Sequence, residues 1–330
     1  MNPLVSVLLP VHNGAEFLYV SIESVLNQSY TNFELIIIDD GSTDNSCQII
    51  RSFKDDRIVF IQNQKNIRLI NTLNKGIEIA KGKYLARIDA DDYMHFQRLE
   101  KQVDFLEKNE EYVLVGSGVQ LVKGNKSRKE DYIQYYSENN DIVFSMCFYC
   151  PFIHPSILLR IDILRRFDLK FDTDFLHAED YELWTRLIKY GRVHNLKENL
   201  TFYRIHSNQI SNIFLDFQKN QMDKIQQFFL NESIPSFTTK EKSIIFSNFQ
   251  KIDLEDYFNT IKKFDENKFF VGDFKMRYIN KLIKNYLIEK KHYKISDWKF
   301  ILRSSYFSGL RFSFFQYLSF IYKTLKFKQL

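Results

Sequence analysis

The chain has 330 residues, of which 45% are hydrophobic and 26% charged. That supplies a core for one large domain or two ordinary ones and excludes general disorder. Glycine and proline are scarce, at 10 and 5 residues, which excludes a low-complexity or turn-dominated protein. The net charge of +5 gathers in residues 301–330, where Arg303, Arg311, Lys323, Lys326 and Lys328 stand without an acid, so the rest of the chain is balanced.

In chain order, LVSVLLP (Leu4–Pro10) reads as a short buried strand stopped by Pro10. Phe17, Val20, Ile22 and Val25 then follow helical spacing. FELIIIDD (Phe33–Asp40) is a second strand, and GSTDNSCQIIRSF turns into a helix that Ser42 or Thr43 can cap, with Asp44 in its first turn. RIVFIQ (Arg57–Gln62) is a third strand. A helix carries Leu69, Leu73, Ile77 and Ala80 on one face and takes Gly82 as its stop. KYLARID (Lys83–Asp89) is a fourth strand, followed by a helix with Phe96, Leu99, Val103 and Leu106 on one side.

Such alternation implies a mostly parallel sheet covered by helices, with ligands at the carboxyl ends of its strands. Residues 112–178 are less regular, with strand-like pieces in YVLVGSG and HPSILLR. In DYELWTRLIKYG, Tyr181, Trp184, Leu187 and Ile188 share a helical face and Gly191 ends the helix. From about residue 207 the chain reads as several helices rich in Phe, Tyr and Lys, with no internal repeat.

The polar clusters fall at the predicted strand ends. ARIDADDY places Asp89, Asp91 and Asp92 at the end of the fourth strand. Like charges this close repel, and a hard divalent cation such as Mg²⁺ or Mn²⁺, which prefers oxygen ligands, would offset that repulsion. A solvated acidic turn capping the next helix uses the same residues. Asp39 and Asp40 end the second strand, where a carboxylate can accept the imide N–H of uracil or cap the Gly41-Ser42 turn. Pro10, His12 and Asn13 form a third cluster after the first strand.

Glu179 and Asp180 open the DYELW helix, whose dipole favours their charged forms; such a carboxylate can be a general base on a sugar hydroxyl or a plain cap. His206 can ligate a metal or contact a phosphate, or serve as a structural residue. Cys147 and Cys150 form a lone C-x-x-C without a second ligand pair, so they read as small apolar residues, and three cysteines in all suit a reducing compartment. The N-terminus has no basic segment or cleavage site of a signal peptide, and no stretch of about 18 apolar residues suggests a membrane span.

Taken together, PVHNG, FELIIIDDGSTD, NTLNKGIEIAKGKYLARIDADD, HPSILLR, AEDYELWTRL and YRIHSNQIS, in that order, resemble glycosyltransferase family 2 over about residues 3–212. Within the family the likeness is to bacterial enzymes that extend lipooligosaccharide or capsule chains. The resemblance implies an α/β GT-A fold, with a mostly parallel central sheet and helices on both faces. It implies a catalytic domain over 1–212, divided into a nucleotide-binding half (1–110) and an acceptor half (111–212), with a helical C-terminal region over 213–330. It also implies a nucleotide-sugar donor and an inverting, metal-dependent transfer of one hexose or N-acetylhexosamine from a UDP-sugar to a cell-surface glycan precursor.

Residue by residue, the resemblance assigns Pro10, His12 and Asn13 to the nucleotide pocket, Asp40 to uracil with Asp39 beside it, and Asp91 and Asp92 to ribose and metal. Asp89 opens that motif; it counts among the nucleotide-sugar-binding residues and is expected to shape the turn. Asp180 matches the catalytic base, His206 a histidine near metal and diphosphate, and His154-Pro155-Ser156 a loop on the acceptor side, where Glu179 also falls. Arg68 stands where the motif often has glycine, and could contact the diphosphate. The Q-x-x-R-W motif of processive synthases is absent, so single-sugar addition is expected.

The tail interleaves nine aromatics with its five cations, the composition of an interfacial helix on an anionic membrane and equally of an ordinary packed helix. A cytoplasmic location follows, with the tail a candidate for peripheral contact with the inner face of the membrane and a lipid-linked glycan a candidate acceptor. Competing readings are a sugar nucleotidyltransferase, which lacks its Gly-rich basic loop here, and an inactive carbohydrate-binding protein of the same fold. No G-x-G-x-x-G follows the first strand, against a dehydrogenase, and the charge-balanced first half argues against nucleic acid.

Overall fold

Two apolar runs form the centre of the sheet. β1 (Val5–Val11) and β2 (Phe33–Asp39) are buried along their whole length, as strands covered on both faces must be. They pair in parallel, and β3 (Ile58–Gln62) and β4 (Tyr84–Arg87) extend the parallel ladder on either side. The computed structural model describes residues 2–123, 131–206, 209, 214–246, 254–267, 270–271 and 278–279. Within these, β5 (Tyr93–Met94), β6 (Tyr112–Lys123), β7 (Tyr132–Ile133), β8 (Leu158–Arg160) and β9 (Arg192–Ile205) complete one sheet of nine strands in the order β3-β2-β1-β4-β8-β6-β9-β5, with β7 on β6. The β8, β7 and β5 pairings are antiparallel, whereas β6 and β9 run parallel.

Helices cover both faces. α1 (Leu18–Leu26), α2 (Ser46–Ser52) and α4 (Arg98–Lys108) join one core cluster with Val5, Val7, Leu9 and Leu35. α3 (Leu69–Ile79) lies on the other face, so close that a side chain at Gly76 would run into Leu8. α5 (Asn139–Ser145), α6 (Ile161–Arg166) and α7 (Glu179–Leu187) belong to the second half of the sheet. α8 (Leu215–Ser233), α9 (Thr239–Phe246) and α10 (Leu254–Asp265) follow.

The chain separates into two compact units, Met1–Phe229 and Leu230–Leu330. The second has its own small core, in which Phe264 meets Phe237 edge-on and Phe270 at a tilt, while Lys263 pairs with Glu241 at 2.9 Å. No helix among the described residues is long and apolar enough to cross a membrane. The aromatic and basic tail, 301–330, lies outside the described residues.

Several local expectations shift. Pro10 does not stop β1, which continues to Val11. The Leu8 carbonyl accepts from Ile88 on the β4 side and that of Val11 from Asp40 on the β2 side. By alternation the Pro10 nitrogen points to the β4 side, past the last residue of β4, so its missing N–H removes no ladder bond. Val20 and Phe96 are exposed, because the buried stripes are Leu18, Ser21, Ile22 and Val25 on α1 and Arg98, Leu99, Gln102, Val103 and Leu106 on α4.

Neither Ser42 nor Thr43 caps α2; Asp44 accepts the Ser46 N–H at 3.0 Å instead. Gly82 is not a helix stop, since α3 ends at Ile79. A Cβ at Gly82 would lie 2.6 Å from the Ser6 nitrogen, so close backbone approach demands glycine there. α7 likewise ends at Leu187, ahead of Gly191.

Candidate active site

The ends of β1 and β2 are tied together by the clusters that follow them. Asn13 adopts a positive φ of 52°, which asparagine tolerates. Its side-chain oxygen accepts the Thr43 N–H at 2.8 Å, and its own N–H donates to Ser42 Oγ at 2.9 Å. His12 Nδ1 lies 3.0 Å from the Asp40 carbonyl. The Asp40 carboxylate accepts from Asn63 Nδ2 at 2.9 Å and from the Ile67 N–H at 2.8 Å, both through Oδ1. Pro10, His12, Asn13, Asp40 and Arg68 all line a cavity of about 650 Å³ at these strand ends.

Arg68 sits at φ 73° and ψ 156° immediately before α3, a backbone region that is essentially glycine's own. That explains why a glycine suits this position, and it means that the arginine is held there at a cost.

A second cavity, of about 420 Å³, opens beside the first. His154, Asp180, Cys150 and Tyr149 line it. The two share a wall made of Leu69, Asp89, Asp91, His177 and Glu179. The geometry is one cleft with two chambers and carboxylates at their junction.

β4 delivers the acidic cluster to that junction. Candidate ligand oxygens of Asp89, Asp91 and Asp92 all lie within 4.8 Å of one another. Asp89 pairs with the buried Arg87 guanidinium. Asp91 Oδ2 is 2.9 Å from His206 Nε2, and His206 also lines the larger chamber. Asp92 is 1% exposed and lines neither chamber. One of its oxygens accepts the Arg204 N–H at 2.8 Å and the other is buried without a partner. Burial, and then repulsion from Asp89 and Asp91, pushes its carboxyl well above the usual range. An orphaned carboxylate oxygen beside two more carboxylates and an imidazole is a donor set that suits a hard divalent cation.

Glu179 and Asp180 form the first turn of α7. Glu179 faces both chambers and Asp180 only the smaller one. Asp180 Oδ1 accepts the Tyr181 N–H at 2.7 Å, and Oδ2 lies 3.9 Å from Cys150 Sγ. Burial raises Asp180 to about 6, and burial followed by repulsion from Asp180 raises Glu179 to about 7. His154 packs against the Trp184 ring, with Nε2 buried and unpartnered. Burial and the nearby Arg87 charge push it well below the ordinary histidine value.

Most of the expected residues meet in this cleft, and two do not. Asp39, expected beside the nucleotide, is fully buried and lines neither chamber. It is turned instead to the Ser42 N–H at 3.3 Å and the Cys47 thiol at 3.2 Å. Its position as the last residue of the buried strand β2 aims it inward, whereas Asp40, one residue on, faces the cavity. Asp89 lines both chambers, whereas Asp92, expected at the metal, is buried and lines neither. His177 was missed by sequence reasoning. It adjoins Ala178-Glu179-Asp180, holds a φ of 67°, and stacks on Phe214 at 4.5 Å. Its place two residues before the acidic pair was the available signal. Arg87, Tyr135 and Tyr149 were missed as well, because nothing in their local pattern separates a cavity wall from a core.

The parallel β3-β2-β1-β4 ladder of a mixed sheet carries a cavity at its strand ends that shares acids with a second chamber, room for two ligands side by side. The model of glycosyl transferase family 2 matches residues 6–165. A glycosyltransferase of Haemophilus influenzae, itself uncharacterized, is 35% identical over 243 residues, covering 70% of this chain and 75% of that relative. WfaP of Escherichia coli, a UDP-Glc:alpha-D-GlcNAc-diphosphoundecaprenol beta-1,3-glucosyltransferase, is 30% identical over 217 residues, covering 63% of this chain and 80% of its own. The crystal structure of S. aureus TarS 1–349 in complex with UDP-GlcNAc shares the fold, with a TM-score of 0.54 at 18% identity over 86% of this chain and 84% of that one. The chain belongs to glycosyltransferase family 2 and has the GT-A fold.

Proposed function

We propose that this enzyme transfers one hexose or N-acetylhexosamine from a UDP-sugar to a hydroxyl of a lipid-linked or other cell-surface glycan precursor, with inversion at the anomeric carbon. The observation that carries the reading is the wall shared by the two chambers, where Asp89, Asp91 and Glu179 meet both cavities. A donor in the larger chamber would present its sugar across that wall to an acceptor in the smaller one. The similarity to WfaP, which acts on a diphosphoundecaprenol-linked sugar, supports the acceptor class.

In this reading, Asp40 receives the base, held rigid by Asn63 and Ile67. His12 and Asn13 shape the floor beneath it, and Arg68 approaches the diphosphate from the start of α3. Asp91 and His206 would hold a divalent cation, Mn²⁺ or Mg²⁺, with Asp89 and Asp92 beside them. Such an ion, when bound, supplies Lewis-acid neutralisation of the charge that develops on the departing diphosphate. Asp180 faces the acceptor chamber and takes the proton of the attacking hydroxyl. The hydroxyl oxygen forms the new bond to the anomeric carbon as the bond from that carbon to the diphosphate oxygen breaks. An α-linked donor therefore gives a β-glycoside. Glu179 and His154 complete the acceptor side.

The test is incubation of the full chain with Mn²⁺ and a panel of UDP- and GDP-sugars, scored by nucleotide release and thermal shift. One or more UDP-sugars should stabilise the protein and release UDP, and only with the metal. A response confined to GDP-sugars, or none at all, would refute the donor class.

A further inference from the structure

The acceptor chamber has a chemical character that goes beyond the reading above, although it rests on that chamber being the acceptor side. Tyr135, Tyr149, Phe152 and Tyr203 are among the residues that line it, together with Met222 of α8. Tyr135 and Tyr149 are stacked on each other at 5.5 Å between centroids and 25° between planes. Flat ring faces receive the C–H face of a pyranose, and a few polar groups then fix its orientation.

The charged groups of this wall are one-sided. Asp89, Asp91, Glu179 and Asp180 all face the chamber, and among the described residues its single Arg or Lys is Arg87. That guanidinium is 5% exposed and already bound to Asp89. Two histidines, His154 and His177, line the wall, and burial lowers both. No Arg or Lys among these residues is free to receive an anionic substituent, and the Glu179 and Asp180 carboxylates, which neither Arg87 nor the metal site holds, would repel it.

We infer that the sugar seated in this chamber is a neutral hexopyranose stacked on the tyrosine wall, and that uronic acids and other anionic sugars are rejected. The enzyme therefore extends glycans whose terminal residue is uncharged, whatever charge lies further along the acceptor.

The experiment uses the full chain saturated with UDP and Mn²⁺. Binding of p-nitrophenyl β-D-glucoside, β-D-galactoside and N-acetyl-β-D-glucosaminide is compared with that of the matching β-D-glucuronide and β-D-galacturonide by saturation-transfer NMR titration. The best neutral glycoside should bind at least about tenfold more tightly than either uronide. Tyr149→Ala should weaken the neutral glycosides about tenfold with UDP affinity unchanged, and Met222→Lys should narrow the gap by improving the uronides. Uronides binding as tightly as neutral sugars, or no neutral glycoside binding while UDP binds normally, would overturn the inference. UDP affinity, measured separately by calorimetry, reports on the nucleotide chamber, so failure there tells against the donor reading instead.

Discussion

His206 Nε2 lies 2.9 Å from Asp91 Oδ2, although 115 residues separate the two in the chain. β9 runs along β6 and brings the histidine to the acidic cluster that follows β4, where both residues line the larger chamber. Asp91→Asn and His206→Ala should each weaken Mn²⁺-dependent UDP binding by at least about tenfold, a loss of roughly 1.4 kcal/mol. Binding of UDP without metal should change little. Calorimetry with and without Mn²⁺ measures both, and equal losses in the two conditions would remove the pair from metal binding.

Arg68 gives a prediction with two opposed readouts. Its backbone occupies a region that costs a non-glycine residue about 1–3 kcal/mol. Arg68→Gly should therefore raise the melting temperature of the apoprotein. The same change removes a cation from the nucleotide chamber, so the KM for the donor should rise. A variant that is stabilised with an unchanged donor KM would show that the arginine does not touch the diphosphate.

Arg98 is fully buried and donates to three backbone carbonyls, those of Pro155, Arg87 and Ile157. It ties the end of β4 to the loop that carries His154. Arg98→Met leaves the Pro155 and Arg87 carbonyls and Gln102 Oε1 without that donor, at about 1–3 kcal/mol each, while the Ile157 carbonyl keeps the Arg87 N–H. Chemical denaturation should show a loss of at least about 3 kcal/mol. A loss below about 1 kcal/mol would mean that water replaces the guanidinium.

The buried acids of α7 set a pH dependence. Asp180 titrates near 6 in the fold against an ordinary value of 3.8, and Glu179 near 7 against 4.5. A raised carboxyl favours the folded state while protonated, and that contribution is lost as pH rises through the folded value. Asp180→Asn should therefore gain stability over wild type between about pH 4 and 7, with the gap constant above that window. Melting temperatures across pH 4–8 test this; a gap that narrows as pH rises would contradict it.

Much of this site was legible in the sequence because the first half obeys strand–helix alternation, and strand ends in such a sheet converge. Asp40, Asp91 and His12 could be placed together for that reason alone. The inward turn of Asp39 could not, because one residue of strand register decides whether a carboxylate meets the cavity or the core. The burial of Asp92 has the same origin: Arg87 holds Asp89 at the cleft while Asp92 accepts the Arg204 N–H away from it. The tyrosine wall of the smaller chamber was hidden for a different reason. Tyr135 and Tyr149 lie in neighbouring segments but Tyr203 comes from β9, and only the fold brings the three to one cavity.

The central claim is that Asp180 accepts the acceptor proton. Transfer from the UDP-sugar selected in the donor panel to a neutral glycoside should be followed under single-turnover conditions for wild type and Asp180→Asn, with UDP affinity measured in parallel. Wild-type rates should rise as pH passes about 6, and the variant should lose transfer by about 10²–10⁴-fold with unchanged UDP affinity. Transfer by Asp180→Asn at the wild-type rate, or a wild-type profile flat through that pH, would contradict it.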